Sequence, residues 1–146
     1  MNAVHVVLGV ALIGVNAAAG AWGAWCWWRA RDAPGFWPLL RTGQALVVLQ
    51  AAGGGILVLA GRELPELHLV YGLVPLGVSF LAEQLRITAA ETVLAQRGLE
   101  GRRDVEALER AEQRDLVHAI MLREMGVMAA SALVVALLGA RAAGVL

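Results

Sequence analysis

Two histidines lie inside long apolar stretches of the sequence. Among the apolar residues around it, an imidazole is the side chain that can bind a metal or transfer a proton. His5 stands near the beginning of the first stretch and His68 near the beginning of the third. If every stretch crosses a membrane, the first and third run in the same direction, so both imidazoles lie at a similar depth. Two imidazoles from facing helices at one level can bind a heme iron from opposite sides. The pair therefore points to axial ligation of heme b.

Three consecutive glycines provide space that such a cofactor needs. Gly53, Gly54 and Gly55 lie five to seven residues before the end of the second apolar stretch, at nearly the depth of the two histidines. A glycine removes a side chain and lets another group approach the backbone. The pattern predicts a heme site with His5 and His68 as the iron ligands and the three glycines against the porphyrin.

The same residues also have structural explanations. A neutral histidine near the membrane interface costs little free energy, and glycine is common in membrane helices because it permits close packing. His5 and His68 could therefore be interfacial side chains, or serve a metal ion or a proton relay. Gly20 and Gly23 could be packing positions of the first helix. The third histidine, His118, stands among charged residues and is expected to be solvated or to cap a helix.

The composition indicates an integral membrane protein. Of 146 residues, 59% are hydrophobic and 16% charged, and the mean hydropathy is +0.66. Soluble domains are usually about 45–50% apolar and about 25% charged. The net charge of zero argues against a nucleic-acid partner, and the single cysteine excludes an intrachain disulfide. All twelve Lys and Arg residues are arginine, which is typical of a GC-rich genome.

Four stretches are long enough to cross a bilayer, since about 20 apolar residues span its hydrocarbon core. We predict one all-α transmembrane domain over residues 1–146, folded as a four-helix bundle. A turn after Gly61 and an early proline, Pro65, should join the second and third helices as a tight hairpin. The predicted helices cover about 3–28, 39–60, 64–97 and 103–140.

Residues 83–124 are too charged to enter lipid. They predict a cytoplasmic helical hairpin that extends the third and fourth helices, with a break near Gly98 and Gly101. The hairpin either simply continues the membrane helices or offers a docking surface to a partner.

The arginines predict the orientation, because cytoplasmic loops carry an excess of them. The first and third connections hold ten arginines, while the second connection and the C-terminal end hold one each. We therefore expect both termini outside, in the inner (plasma) membrane of a bacterium. Four tryptophans at the inner end fit an aromatic belt better than a ligand site, and these are Trp25, Trp27, Trp28 and Trp37.

Polar residues within or beside the apolar stretches are expected to pair between helices. Asn16, Gln44 and Gln50 should form such hydrogen bonds, because lipid offers no alternative partner. At the inner ends of the third and fourth helices, we expect Arg86 to pair with Glu124. Arg123 should likewise pair with Glu83.

One part of the sequence resembles half of the heme A synthase family. Residues 49–61 read LQAAGGGILVLAG and residues 67–69 read LHL. The family has an LQ…GG…V helix, a short outer loop with a proline, and a helix that opens with His-Leu. The resemblance covers about residues 49–72. It implies that His68 is an axial heme ligand near the outer surface, within a four-helix bundle.

The resemblance also implies a partner ligand two helices earlier, where His5 stands. In the family, that helix carries a glutamate followed by a histidine, whereas residues 2–7 here read NAVHVV, without a carboxylate. The chain has at most one of the family's two halves, so the resemblance implies heme binding and not heme A synthesis. More broadly, the chain resembles a small bacterial four-helix membrane protein.

The sequence thus favours a small heme b-binding membrane protein that transfers electrons near the outer face, with a quinone as a redox partner. The alternatives are an accessory or assembly subunit of a membrane complex, and a self-associating homo-oligomer, both without a cofactor. No nucleophile–base pair or nucleotide-binding loop is present, so an enzyme is not expected.

Overall fold

A computed structural model describes residues 3–61 and 66–145, and this part of the chain is all-helical, as predicted. Pro65, expected near the start of the third helix, lies outside the described residues. The helices are α1 (Ala3–Trp28), α2 (Phe36–Leu59), α3 (Glu66–Gln96), α4 (Arg102–Ala107) and α5 (Arg110–Ala142).

The long helices pack around α5, which lies along both α1 and α3. α1 also packs along α2, and α2 meets α3 over a smaller area. Among the described residues, α1 and α3 make few contacts with each other.

Two buried clusters show how the helices are aligned. One cluster joins Cys26 at the end of α1 to Phe36 at the start of α2, and both to Met125 in α5. The other joins Leu12 in α1, Val47 in α2 and Val135 in α5, with partly buried Leu46 and Leu76 against it. Successive long helices therefore run in opposite directions, and His5 and His68 end at the same side.

Glycines allow the closest approach of α1 and α5. A β-carbon at Gly20 would overlap Leu133, and one at Gly23 would overlap Phe36, whose ring is fully buried. On the α5 side, a β-carbon at Gly126 would overlap Trp27. These positions match the packing role considered for Gly20 and Gly23.

Three helices, α1, α2 and α5, are long and apolar enough to cross a membrane. In their most apolar windows only 22%, 11% and 33% of the residues are buried inside the protein. The remaining apolar side chains face outward, as lipid contact requires. The chain is therefore a membrane protein by the length and composition of these helices.

The polar region between the third and fourth apolar stretches contains two breaks. The first follows α3, where Gly98 adopts a left-handed conformation with φ 68°. The second separates α4 from α5 at Leu108 and Glu109, both extended, so the range 103–140 is not one helix. The Gln113 side chain donates hydrogen bonds to the carbonyl oxygens of Val105 and Leu108, and these bonds connect α4 to α5.

Candidate functional site

The rings of His5 and His68 face each other at the end of the molecule where α1 and α3 begin. Their centroids are 6.0 Å apart and their planes are inclined by 52°. The structure therefore brings together, from two helices that otherwise make few contacts, the two histidines singled out from the sequence.

His68 is oriented by the end of α5. Its Nδ1 lies 3.1 Å from the carbonyl oxygen of Ala142, the last residue of that helix. A carbonyl only accepts, so Nδ1 carries the hydrogen and donates it. This leaves the lone pair on Nε2, the tautomer in which a histidine binds metal through Nε2 while its other nitrogen is held by an outer partner.

His5 is held by Gln50 of α2. The Gln50 Nε2 amide donates to His5 Nε2 at 3.1 Å. The other ring nitrogen, Nδ1, and the Gln50 Oε1 atom are buried and have no hydrogen-bond partner among the described residues. Buried polar atoms without partners are uncommon in folded proteins. His5 Nδ1 and Gln50 Oε1 could therefore each form one more hydrogen bond.

The glycines of α2 line only one side of the pair. A β-carbon at Gly53 would lie 4.0 Å from His5 Nδ1, and one at Gly54 would lie 3.8 Å from His5 Cε1. A β-carbon at Gly55 would meet nothing within 4 Å. Gly53 and Gly54 thus adjoin the His5 ring, whereas Gly55 is not in contact with it.

The separation of the two rings suits axial ligation of one iron. Fe–N bonds of about 2 Å on opposite sides, with the distance from each nitrogen to its ring centre, add up to a centroid separation of about 6 Å. His68 offers Nε2 as it stands. His5 offers Nε2 once Gln50 releases it, or Nδ1 once the Gln50 amide turns so that its oxygen accepts from Nε2. The unpartnered Nδ1 of His5 and the glycines beside its ring are the features that such a group would use.

Two histidines are few ligands for a bare metal ion. No group of three or more His, Cys, Asp or Glu side chains comes together in residues 3–61 and 66–145. A protein-bound zinc ion ordinarily takes three or four such ligands. A porphyrin supplies four nitrogens itself, so two histidines are sufficient.

A charged network occupies the opposite end of the apolar layer. Arg86 lies 3.4 Å from Glu124, as predicted. The predicted Arg123–Glu83 pair is wrong, because Glu83 instead accepts hydrogen bonds from Arg41, Gln44 and Arg86. The pKa of Glu83 is raised by burial, but the hydrogen bonds from Arg41 and Gln44 and the charges of Arg41 and Arg86 outweigh this and lower it.

Two of the three interhelical hydrogen bonds predicted for polar residues in the apolar stretches are present. Gln44 and Gln50 bond to other helices, as predicted. Asn16 is buried but donates to the Leu12 carbonyl within its own helix, so its predicted interhelical bond is wrong. Its side chain packs on Gly43 of α2 instead. His118 lies 3.5 Å from Asp32, remote from the histidine pair.

Sequence reasoning missed two members of the histidine site. Gln50 was expected to bond between helices, but nothing in its spacing identified His5 as its partner. The Ala142 carbonyl carries no sequence signal, since every helix ends with free carbonyl groups. Only the length of α5, which reaches the level of His68, could have indicated it.

No family model, curated protein or solved structure matches this chain. The resemblance of residues 49–72 to heme A synthase stays a prediction from those residues.

Proposed function

We propose that this chain is a small four-span membrane protein that binds one heme b near the outer face, between His5 and His68. The observation that supports the proposal is the 6.0 Å separation of the two rings, together with the tautomer that Ala142 imposes on His68. Because both axial positions would be filled by histidine, the bound cofactor would supply one-electron transfer and not ligand activation.

In this proposal α3 is the fourth membrane span, although it is not among the three helices that are long and apolar enough by themselves. Ala82 of α3 is buried in one cluster with Met125 and Met128 of α5. Leu76 packs in the cluster of Leu12, Val47 and Val135. The part of α3 between His68 and Ala82 therefore lies alongside the apolar parts of α1, α2 and α5, and has to cross the membrane if they do.

The proposed orientation of the protein in the membrane is based on the distribution of its arginines. The first and third connections of the sequence hold ten arginines, and the second connection and the C-terminal end hold one each. This distribution favours an orientation with the histidine pair near the outer face and residues 83–124 in the cytoplasm. There a quinone or a protein on the outer side could exchange electrons with the site. The protein would then reside in the inner membrane of a bacterium, with both termini outside.

The test is an absorption spectrum of the protein purified in mild detergent and supplied with hemin. We expect a Soret band that shifts on reduction with dithionite. His68→Ala should abolish the band, and His5→Ala should abolish it or convert it to that of a five-coordinate heme. His118→Ala is the matched control, because His118 pairs with Asp32 outside the apolar layer, and it should leave the spectrum unchanged.

Two outcomes would overturn the proposal. One is a wild-type protein that is folded by circular dichroism yet gives no Soret band with hemin. The other is equal loss of the band in all three variants, which would assign the effect to unfolding. A mass spectrum of the intact complex would separate one bound heme from surface adsorption.

The second candidate is an accessory subunit without a cofactor. Residues beyond the charged network keep large apolar side chains exposed, among them Ile87 at 53% and Val117 at 54%. These positions could contact a partner protein. Absence of heme binding, with specific co-purification lost in an Ile87→Asp, Val117→Asp variant, would favour this function.

A further inference from the structure

A groove of about 730 Å³ opens where α1 ends against α3 and α5. Its walls are mostly apolar and its rim carries two arginines. The lining residues that matter here are Trp27 from α1, Val93 from α3, Arg97 directly after α3, and Leu122 and Arg123 from α5. None of these residues belongs to the histidine site.

The groove carries positive charge without compensation. No carboxylate is among the residues that line it. The nearest acidic residues of the charged network are engaged elsewhere, Glu83 with Arg41 and Glu124 with Arg86. Within residues 3–61 and 66–145, Arg97 and Arg123 form no ion pair, and both are exposed. An anion could therefore bind here without displacing an internal partner.

The position of the groove matches the membrane interface. Trp27 is half exposed and lies at the end of the apolar helix α1. Its indole packs against Gly126, one residue after buried Met125 in α5. Arg123 precedes Gly126 by about one helical turn, toward the charged side. Tryptophan and arginine at such a boundary lie at headgroup depth.

We infer that this groove binds an anionic phospholipid, with the phosphate at Arg123 and Arg97 and the upper part of an acyl chain along Trp27 and Leu122. A soluble anion would use the arginines but not the apolar wall, and a zwitterionic lipid would use the wall but bring no net charge. Basic pockets between membrane helices at the cytoplasmic side are a recognised site for anionic headgroups. The inference is independent of heme binding.

The test is native mass spectrometry of the full chain in mild detergent, titrated with phosphatidylglycerol or with phosphatidylcholine. We expect phosphatidylglycerol to be retained preferentially. The double variant Arg97→Gln, Arg123→Gln should weaken its binding about thirtyfold, the combined effect of two cations near an anionic lipid. The matched control is Arg103→Gln, Arg110→Gln, which removes the same charge from α4 and from the first residue of α5, neither of which lines the groove.

The other possible results of this experiment would argue against a lipid site in the groove. Equal retention of the two lipids, or equal weakening in the control, would overturn the inference. Inorganic phosphate at the same concentration should not compete, and full competition would show an anion site without a lipid requirement. Unchanged lipid binding in a folded Arg97, Arg123 double variant that instead loses a co-purifying acidic protein would assign the groove to a protein partner. Melting of the lipid-free variants checks that both are folded.

Discussion

Glu83 shows how one carboxylate can connect three helices at the edge of the apolar layer. It accepts from Arg41 and Gln44 of α2 and from Arg86 of its own helix, and Arg86 continues to Glu124 of α5. Glu83 directly follows Ala82, at which the apolar part of α3 ends. Charge-assisted hydrogen bonds of this kind are stronger than neutral ones.

The network predicts a loss of stability in acid. The folded-state pKa of Glu83 lies below its ordinary value, because the donors around it outweigh its burial. Its contribution is therefore complete above the unfolded-state pKa and is lost as the pH falls through the lower folded-state pKa. We expect the unfolding midpoint in detergent to fall over this acidic range, and Glu83→Gln to reduce that dependence. Thermal melts at a series of pH values measure it.

Glu91→Gln is the control for this measurement, because Glu91 is an exposed residue of the same helix. It should keep the wild-type dependence on pH. If Glu83→Gln also keeps it, the carboxylate does not link the helices in the way described.

At the scale of helices, the close contact between α1 and α5 depends on glycines, which have no side chain. A β-carbon at Gly20 would overlap Leu133 of α5, and one at Gly126 would overlap Trp27 of α1. One at Gly23 would overlap Phe36 of α2 and lie 3.0 Å from Ala129 of α5. Membrane helices gain most of their association from such close packing, since lipid is as apolar as the helix surface. α5 can therefore approach α1 closely.

Gly23→Ala should destabilise the protein by about 1–3 kcal/mol, the usual cost of overpacking a well-packed interior. The new methyl group would overlap the ring of Phe36, which is fully buried. Gly14→Ala, in the same helix but with nothing within 4 Å of the added carbon, should be neutral. Unfolding midpoints of the two variants in one detergent compare them, and equal effects would contradict the packing described.

At the scale of the molecule, the orientation can be tested directly. A reporter that is active only in the cytoplasm, fused after residue 145, should be inactive, whereas the same reporter inserted at Gly98 should be active. The physical reason is the excess of arginine in the first and third connections. The reverse pattern would place the histidine pair at the inner face and would exclude electron exchange on the outer side.

Some of this could be predicted from the sequence and some could not. The lengths of the apolar stretches and a count of residues along them were sufficient to place His5 and His68 at one level. The partner of Glu83 was not predictable, because it depends on the rotation of each helix about its axis. The same rotation decides that Asn16 packs on Gly43, and that Gly54 adjoins the His5 ring while Gly55 does not.

The position of α5 along both α1 and α3 has a consequence for how the protein is made. α5 follows the other helices in the chain, so the ribosome delivers it last. Until it arrives, Ala19 and Cys26 of α1 and Ala82 of α3 lack the methionines and alanines that bury them, and His68 lacks its carbonyl partner. The hairpin of α1 and α2 therefore forms before its main packing partner, and the contact that orients His68 forms only once α5 is in place.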